Sequence, residues 1–419
     1  MTDSVRLKWL LSESDIRAGV EAGVLPLLSV SISWGVRRRE AAHVTTRAAS
    51  EDLSKYKLCR AGDLVINRMR AFQGALGIAP EDGIVSPDYA VLRVDPRVDK
   101  RWLNYFLTSG FTVATMASLV RGIGGTEAGN VRTPRLNISD LQSMTVPVVS
   151  ADEQRTIADY LDRETVRIDT LIEEQQRLIE MLRERRGAAI SSAVARGIDK
   201  TASLKDSGLP GAGPVPTHWE VMPLRYTISF QEGPGIMAVD FRDEGIPLLR
   251  VSCVRAAQST LEGCNYLDPD EVDRRWSHFR VDRGDLLISA SASMGTVSEV
   301  TEETAGAVPY TGIIRIKPGR MHKDFIRWFV VSGEFIDQVD SLKTGSTIQH
   351  FGPTHLAQMR VALPPTDEQH QIAAYLDEQT AKNDTLIEES ERLIELSKER
   401  RSALITAAVA GQIDVREMV

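Results

Sequence analysis

The chain has 419 residues, a length that favours two to four domains. Its composition, 42% hydrophobic and 26% charged, is typical of a globular protein. No apolar run approaches the roughly 20 residues that a membrane-spanning helix needs. The N-terminus lacks the pattern of a secretory signal, and the three cysteines lack metal-ligand spacing. We therefore expect a cytoplasmic protein with no membrane contact and no metal site.

The net charge of −8 is unevenly distributed along the chain. Residues 1–150 carry 19 basic and 15 acidic side chains, whereas residues 151–199 and 366–419 together carry 14 basic and 23 acidic side chains. Phosphate groups are attracted by positive surfaces, so the acidic segments are poor DNA-binding surfaces and the chain alone should bind DNA weakly.

Residues 1–150 are predicted to form a mixed α/β domain. Apolar runs predict strands at 24–33, 62–66 and 83–94, and the spacing of apolar residues predicts a helix at 100–117. Side chains that could read bases or hold phosphates follow the second strand and line a glycine-rich loop: Asn67, Arg68, Arg70, Gln73, Arg121, Thr126, Arg132 and Arg135. The alternative is a solvated strand end and a flexible connector.

Residues 151–199 are predicted to form a long helix, with Ser150 or Asp152 as its N-cap. Apolar or small residues alternate at steps of three and four, as in a coiled coil, at Ala158, Leu161, Thr165, Ile168, Ile172, Gln175, Ile179 and Leu182. At ~1.5 Å per residue the helix would be roughly 60 Å long, which is too long for one globular domain. It therefore needs a partner along its length.

The same helix occurs a second time at a constant offset of 215 residues, from Glu368-Gln369 onward, as residues 366–419. The partner helix is therefore expected to be this second copy, paired antiparallel about a pseudo-twofold axis. The second seam reads Ala373, Leu376, Thr380, Asn383, Ile387, Ser390, Ile394 and Ser397. Its polar residues Asn383, Ser390 and Ser397 are expected to weaken the packing.

A Gly/Pro-rich linker at 200–217 precedes a second block at 218–365, which follows the plan of the first. Strands are predicted at 247–254, 284–288 and 312–317, and a helix at 323–331. The 284–288 strand echoes residues 62–66. Candidate DNA-binding residues again follow a strand and occupy a loop: Ser289, Ser291, Ser293, Lys343, Ser346, Thr347, Gln349 and His350. The fold class is thus α+β, with two mixed domains and two long helices.

The sequence contains no motif for a phosphate loop, a dinucleotide fold, a zinc hydrolase or a nucleophile elbow, so we expect no catalytic residue. Glu153 and Glu368 open the two helices, and favourable interaction with the helix dipole explains them. Two alternatives to a DNA reader stay open at this point. One is a coiled-coil adaptor that does not touch DNA, and the other is a self-contained DNA enzyme.

Three short segments of the first repeated helix, together with their second copies, resemble the specificity subunit of type I restriction-modification enzymes. The segments are Glu153-Gln154, Tyr160-Leu161-Asp162 and Asp169-Thr170-Leu171-Ile172. The connector with Lys205-Asp206-Ser207-Gly208 and Trp219-Glu220-Val221 is also similar to that family's entry to its second recognition domain. Residues 62–70 and 86–91 resemble one class of that family's target recognition domains. The likeness covers essentially the whole chain.

This resemblance implies a non-catalytic subunit that recognises a bipartite site in double-stranded DNA. It implies that the helix pair docks two modification subunits, which methylate adenine N6 with S-adenosylmethionine, and that restriction subunits using ATP and Mg join them. No cofactor is expected on this chain. We assign partner binding to apolar residues of the repeated helices: Leu161, Ile168, Ile172, Ile179, Leu376, Ile387 and Ile394.

Overall fold

The computed structural model describes residues 4–39, 53–120, 135–209, 213–255, 257–290, 297–342 and 351–417. The chain forms two compact units. The first comprises Met1–Gln176 with Glu391–Val419, and the second comprises Arg177–Ser390. Each of the two long helices contributes residues to both units. Within the described ranges, no helix combines the length and the apolar character needed to cross a bilayer.

The first unit is built from short antiparallel strands and three short helices ahead of a long one. Its central sheet has the strand order β2-β9-β6-β7, and the pairs β1-β10, β3-β4 and β5-β8 lie outside it. The strands are β1 (Ser4–Arg6), β2 (Leu11–Ser14), β3 (Leu28–Ser31), β4 (Gly35–Arg38), β5 (Lys57–Cys59), β6 (Leu64–Asn67), β7 (Leu76–Ile78), β8 (Gly83–Val85), β9 (Tyr89–Val94) and β10 (Thr145–Pro147). The helices are α1 (Lys100–Thr108), α2 (Gly110–Leu119), α3 (Ile138–Ser143) and α4 (Ala151–Arg196).

The single helix predicted at 100–117 is wrong, because the structure has two helices, α1 and α2. Ser109 interrupts them with an extended backbone (φ −62°, ψ 147°), and its hydroxyl accepts a hydrogen bond from the Thr112 N–H at 3.4 Å. A serine that caps the following helix is more stable in this place than in a helix interior, because its side chain satisfies a free backbone donor.

The second unit contains two four-stranded sheets, with orders β14-β21-β18-β19 and β15-β17-β16-β20, and the pairs β11-β12 and β13-β22. The strands are β11 (Leu204–Asp206), β12 (Pro214–Pro216), β13 (Glu220–Pro223), β14 (Ile228–Glu232), β15 (Phe241–Arg242), β16 (Ile246–Leu249), β17 (Asn265–Leu267), β18 (Leu286–Ser289), β19 (Val297–Glu299), β20 (Val308–Pro309), β21 (Ile313–Pro318) and β22 (Arg360–Leu363). The helices are α5 (Pro269–Glu271), α6 (Lys323–Phe329), α7 (Gly333–Leu342), α8 (Pro353–Leu356) and α9 (Thr366–Val409). The predicted linker at 200–217 therefore contains the β11-β12 pair.

The two diverged blocks share a scaffold, as the sequence echo predicts. Strand β6 lies between β9 and β7, and strand β18 lies between β21 and β19. Gly62 and Gly284 precede these strands with φ of +88° and +86°, a conformation that L side chains rarely adopt. The next residues, Asp63 and Asp285, each accept a hydrogen bond at 2.8 Å from the backbone N–H three residues earlier. The same turn thus feeds the same buried strand twice.

The long helices pair antiparallel in each unit. In the first unit, Asp169 of α4 lies 2.9 Å from Arg401 of α9, while the earlier residue Leu161 shares a core with the later residue Ile405. In the second unit, Arg186 lies 3.2 Å from Asp384, and the later residue Val194 shares a core with the earlier residue Leu376. Both distances join Nε to Oδ1. The two ion pairs are equivalent at the 215-residue offset.

Most of the predicted heptad seam is buried, including the polar residues Asn383 and Ser390. Ile168, Ile179 and Ile394 are 6–7% exposed, and Asn383 and Ser390 are 7% and 5% exposed. The prediction of a coiled-coil seam at steps of three and four residues is therefore confirmed for these positions. Ser150 caps α4, since its hydroxyl accepts a hydrogen bond from the Glu153 N–H at 3.2 Å.

A buried glutamine in the first turn of each long helix holds that helix to its own block. The Gln154 side chain accepts a hydrogen bond from the Asp99 N–H at the start of α1 (2.9 Å) and donates to the Val149 carbonyl (2.9 Å). Gln369 accepts from the His322 N–H at the start of α6 (2.6 Å) and donates to the Pro364 carbonyl (2.9 Å). Both side chains are at least nine-tenths buried, so removing them would leave buried backbone groups unpaired.

Glu334, in the first turn of α7, is a buried carboxylic acid. It is 8% exposed, and its Oε1 has no hydrogen-bond partner among the described residues. Burial disfavours the charged carboxylate and raises the pKa of Glu334 from the ordinary 4.5 to about 7. The neutral acid is therefore the form that the folded state favours.

The raised pKa predicts pH-dependent stability in the second unit. The folded state is penalised once Glu334 must ionise, so its stability falls as pH rises from about 4.5 toward about 7 and stays lower above that. Glu334→Gln should remove this loss. Between about pH 5 and about pH 8 the variant should therefore lose about 2–3 kcal/mol less stability than the unmodified chain. The measurement is thermal unfolding at both pH values, with Glu303→Gln as a control because Glu303 is exposed. If Glu334→Gln loses as much stability between these pH values as the control and the unmodified chain do, the prediction is contradicted.

Candidate nucleic-acid interface

The predicted DNA-reading residues after β6 divide into two structural classes. Asn67 is half-buried, and its Oδ1 accepts a hydrogen bond from the Met69 N–H at 3.2 Å. The Arg68 guanidinium donates from Nε to the Leu136 carbonyl at 3.2 Å, so it ties the strand end to the segment before α3. Both side chains thus stabilise the fold locally, which a strand-end pattern alone does not reveal.

Arg70 and Gln73 are both exposed, and they lie just beyond the end of β6. Arg135 is also exposed and forms an ion pair with Asp88 at 2.7 Å. Because Asn67 pairs with Tyr89 in the β6-β9 ladder, and the Leu136 N–H donates to the Arg68 carbonyl at 2.9 Å, these segments meet at one end of the sheet. The first unit therefore presents two arginines and an amide at that end.

Ser289 does not fit its predicted role. It is the last residue of β18, it pairs with Ile313 of β21, and it is 2% exposed. Both faces of β18 are buried, so the hydroxyl is enclosed by protein and is not available to DNA. The prediction of a DNA contact for Ser289 is therefore wrong.

Nine further predicted residues lie outside the described ranges: Arg121, Thr126, Arg132, Ser291, Ser293, Lys343, Ser346, Thr347 and Gln349. His350 lies outside them as well.

The second unit has an arginine-lined cavity that the sequence patterns did not reveal. The cavity has a volume of about 520 Å³, and its lining includes Arg250, Arg255, Asn265 and Tyr310. The Arg250 guanidinium lies 4.5 Å from the ring centre of Tyr310 and donates to Asn265 Oδ1 at 3.0 Å. Two arginines five residues apart after an apolar strand were the available signal in the sequence.

Five of the seven seam residues assigned to partner binding are interior residues of the helix pair. Leu161 and Leu376 are fully buried, Ile168, Ile179 and Ile394 are nearly so, and Ile172 and Ile387 are half-buried. A side chain that fills the space between two helices cannot also contact another protein. The assignment to partner docking is therefore wrong for the five buried residues, and for the half-buried Ile172 and Ile387 it stays a prediction.

A second apolar stripe runs beside the seam and is the better docking candidate. In heptad terms its members lie at g and c positions, and the g positions of an antiparallel pair flank the same side of it. In the first unit the stripe comprises the half-buried Leu171 with Leu393 and Leu396, which are 39% and 52% exposed. In the second it comprises the half-buried Leu178 with Leu386 and Met181, which are 46% and 59% exposed. At the 215-residue offset, these three correspond to Leu393, Leu171 and Leu396.

Three comparisons with known proteins bear on this arrangement. Residues 274–396 match the model of the type I restriction modification DNA specificity domain. The type I restriction enzyme MjaVIII specificity subunit of Methanocaldococcus jannaschii is 21% identical over 292 residues, which cover 68% of this chain and 66% of that protein. The aligned region thus spans just under two thirds of that relative.

Two solved structures share the fold. One comes from a study of complex assembly and conformational transition in the type I restriction-modification system, and matches with a TM-score of 0.73, 15% identity and 97% coverage of both chains. The other is the HsdS subunit from Thermoanaerobacter tengcongensis, with a TM-score of 0.55, 16% identity, and coverage of 98% of this chain and 97% of that one.

Together these findings show that the chain is similar to type I restriction-modification specificity subunits in part of its sequence and in its fold. The two diverged blocks of this chain share a scaffold and differ in their exposed polar side chains. The repeated helices carry the acidic excess, an internal seam and an exposed apolar stripe. These are properties of a surface that contacts protein.

Proposed function

We propose that this chain is the non-catalytic subunit through which a type I restriction-modification complex reads a bipartite site in double-stranded DNA. One observation carries the proposal above the others. The chain contains one helix twice, and each copy is fixed through an equivalent buried glutamine to a block with the same scaffold and different exposed side chains. Two such blocks suit two different base sequences.

In the first unit, Arg70 and Gln73 would contact bases and Arg135 would contact phosphate. Arginine matches the two acceptors of guanine in the major groove, and glutamine matches the donor and acceptor of adenine. Arg135 already pairs with Asp88, so it is positioned near the strand end and can exchange a carboxylate for a phosphate oxygen. Arg68 would act as a positioning residue, because its contact with Leu136 fixes the shape of this edge.

In the second unit, the cavity around Arg250 would receive DNA. The Tyr310 ring and the Asn265 amide hold the Arg250 guanidinium in one orientation, so little side-chain entropy would be lost on forming a base contact. Arg255 lines the same cavity and is exposed. An oriented guanidinium beside an exposed one suits a base edge next to the sugar-phosphate backbone.

The exposed stripe would dock two modification subunits, one on each unit. Its two sets of leucine and methionine side chains are equivalent at the 215-residue offset, so one kind of partner surface can bind both. The modification subunits would carry S-adenosylmethionine and methylate adenine N6. Restriction subunits would carry ATP and Mg, and this chain would supply no catalytic group.

Replacing the exposed DNA-reading residues should affect one half of the bipartite site at a time. Arg70→Ala with Gln73→Ala should weaken recognition of the half-site read by the first unit, because each bidentate pair of hydrogen bonds to a base is worth about 1–3 kcal/mol of discrimination. Arg250→Ala should do the same for the other half-site. The measurement is fluorescence anisotropy with duplexes altered in either half, using the chain together with its modification subunit.

Arg97→Ala is a matched control, because Arg97 is an exposed arginine of the first unit paired with Asp95 at 2.9 Å. It should leave both half-sites unaffected. Equal losses of affinity on both halves for every variant would indicate nonspecific phosphate binding. Undiminished recognition by the Arg70/Gln73 and Arg250 variants would contradict the assigned surfaces, and a complex that binds all duplexes alike would contradict the proposed function itself.

Charging one copy of the stripe should remove one modification subunit. Leu393→Asp with Leu396→Asp should disrupt docking on the first unit only, since burying an unpaired carboxylate in an apolar interface is costly. The assembly should then contain one modification subunit for each specificity subunit in place of two. Mass photometry of the purified complex gives this ratio directly.

Val20→Asp serves as the control, because Val20 is 97% exposed in the same unit and belongs to neither long helix. It should leave the assembly intact. Since Leu393 and Leu396 are exposed, their replacement should also preserve the thermal unfolding of the isolated chain. A ratio unchanged by the double Asp variant would show that modification subunits dock elsewhere.

A further inference from the structure

Three potential metal-ligating side chains meet in the second unit, although the sequence predicts no metal site. His322 and Asp324 flank the start of α6, and His370 lies in the first turn of α9. One ligand atom from each residue lies within 4.8 Å of those from the other two. The two imidazole rings are 3.8 Å apart between centres. Because the two histidines are separated by 48 positions in the chain, no local spacing motif reveals them.

The surrounding backbone fixes this cluster in place. The His322 N–H donates to Gln369 Oε1 at 2.6 Å, and Gln369 Nε2 donates to the Arg320 carbonyl at 3.2 Å. Gln369 is 1% exposed. His370 directly follows Gln369. The hydrogen bonds of Gln369 that attach α9 to its block therefore also place the two histidines side by side.

The equivalent place in the first unit shows that this scaffold does not require the cluster. There Gln154 binds the Asp99 N–H at 2.9 Å, so Asp99 corresponds to His322. Arg101 then corresponds to Asp324, and Arg155 to His370. Two of the three ligand positions are cationic in the first unit, and a cation cannot ligate a metal ion. The metal-ligating set is therefore a property of the second unit alone, within the described residues.

We propose that His322, Asp324 and His370 bind a divalent transition-metal ion, with zinc as the best-suited species. Two imidazole nitrogens and one carboxylate oxygen are a common ligand set for such ions, with water in the remaining positions. Zinc–ligand bonds of about 2.0–2.1 Å place tetrahedral ligand atoms about 3.3 Å apart. Rotation of the exposed His370 ring and of the half-buried Asp324 side chain supplies the approach that the ion requires.

A bound ion would link α6 of the second block to the first turn of α9. It would add coordinate bonds to a junction otherwise held by Gln369 and by the Glu368 carboxylate, which accepts a hydrogen bond from Trp219 Nε1 at 3.0 Å. A ligand that binds only the folded state raises its stability by mass action. The second unit would then depend on metal for part of its stability, and the first would not.

The test is zinc titration of the full chain after chelator treatment, by isothermal titration calorimetry and thermal unfolding. We expect one zinc ion bound through this cluster and a rise in the unfolding temperature. His370→Arg installs the residue that the first unit carries at the equivalent position, so the fold should tolerate it. It should lower zinc affinity by more than about tenfold, since even removing a residue that only supports a ligand costs about that much.

Asp324→Asn should have a similar effect on zinc affinity through removal of the carboxylate. His278→Gln is the matched control, because His278 is an exposed histidine of the same unit outside the cluster. It should bind zinc as the unmodified chain does. The proposal is overturned if His370→Arg and Asp324→Asn bind zinc with unchanged affinity, or if zinc does not bind to the unmodified chain.

Discussion

Two buried glutamines, Gln154 and Gln369, are the contacts on which the rest of this structure depends. Each satisfies a backbone N–H at the start of a short helix in its block and a backbone carbonyl just before its own long helix. A buried amide with correct partners is stabilising, and the same position with an apolar residue would leave backbone groups unpaired at a cost of about 1–3 kcal/mol each. The repeated Glu-Gln pair thus marks the point at which each repeated helix is attached to its diverged block.

The sequence predicts the repeated architecture well because periodicity and repetition are long-range signals. The two long helices, the heptad seam and the echo between residues 62–66 and 284–288 all follow from spacing, and the structure confirms them. The break at Ser109 is missed because a capping serine and a helical serine look alike in a pattern. Ser289 is misassigned, and the Arg68 contact with Leu136 is missed, because tertiary packing decides whether a polar side chain faces backbone, core or solvent.

The repeated Leu-Ile pairs contribute to two different surfaces of each long helix. Their isoleucines fill the internal seam, whereas the leucines immediately before them, such as Leu171 and Leu178, border an exposed stripe. Adjacent residues on a helix point about 100° apart, so the Leu-Ile pairs serve both surfaces at once. The ion pairs Asp169–Arg401 and Arg186–Asp384 account for part of the charge in these segments. The remaining acidity makes the helices unsuited to phosphate, which supports the proposal that the diverged blocks bind DNA.

If two diverged blocks of one chain select a split DNA sequence for methylation by partner subunits, the methylome of the cell must show it. The decisive measurement is methylome sequencing of cells with and without the intact gene. We expect an adenine-methylated motif of two specific parts separated by an unspecified spacer, present only when the gene is intact, with one part altered in cells carrying the Arg70/Gln73 variant. Identical methylomes with and without the gene, in cells that express the modification subunit, would contradict this function.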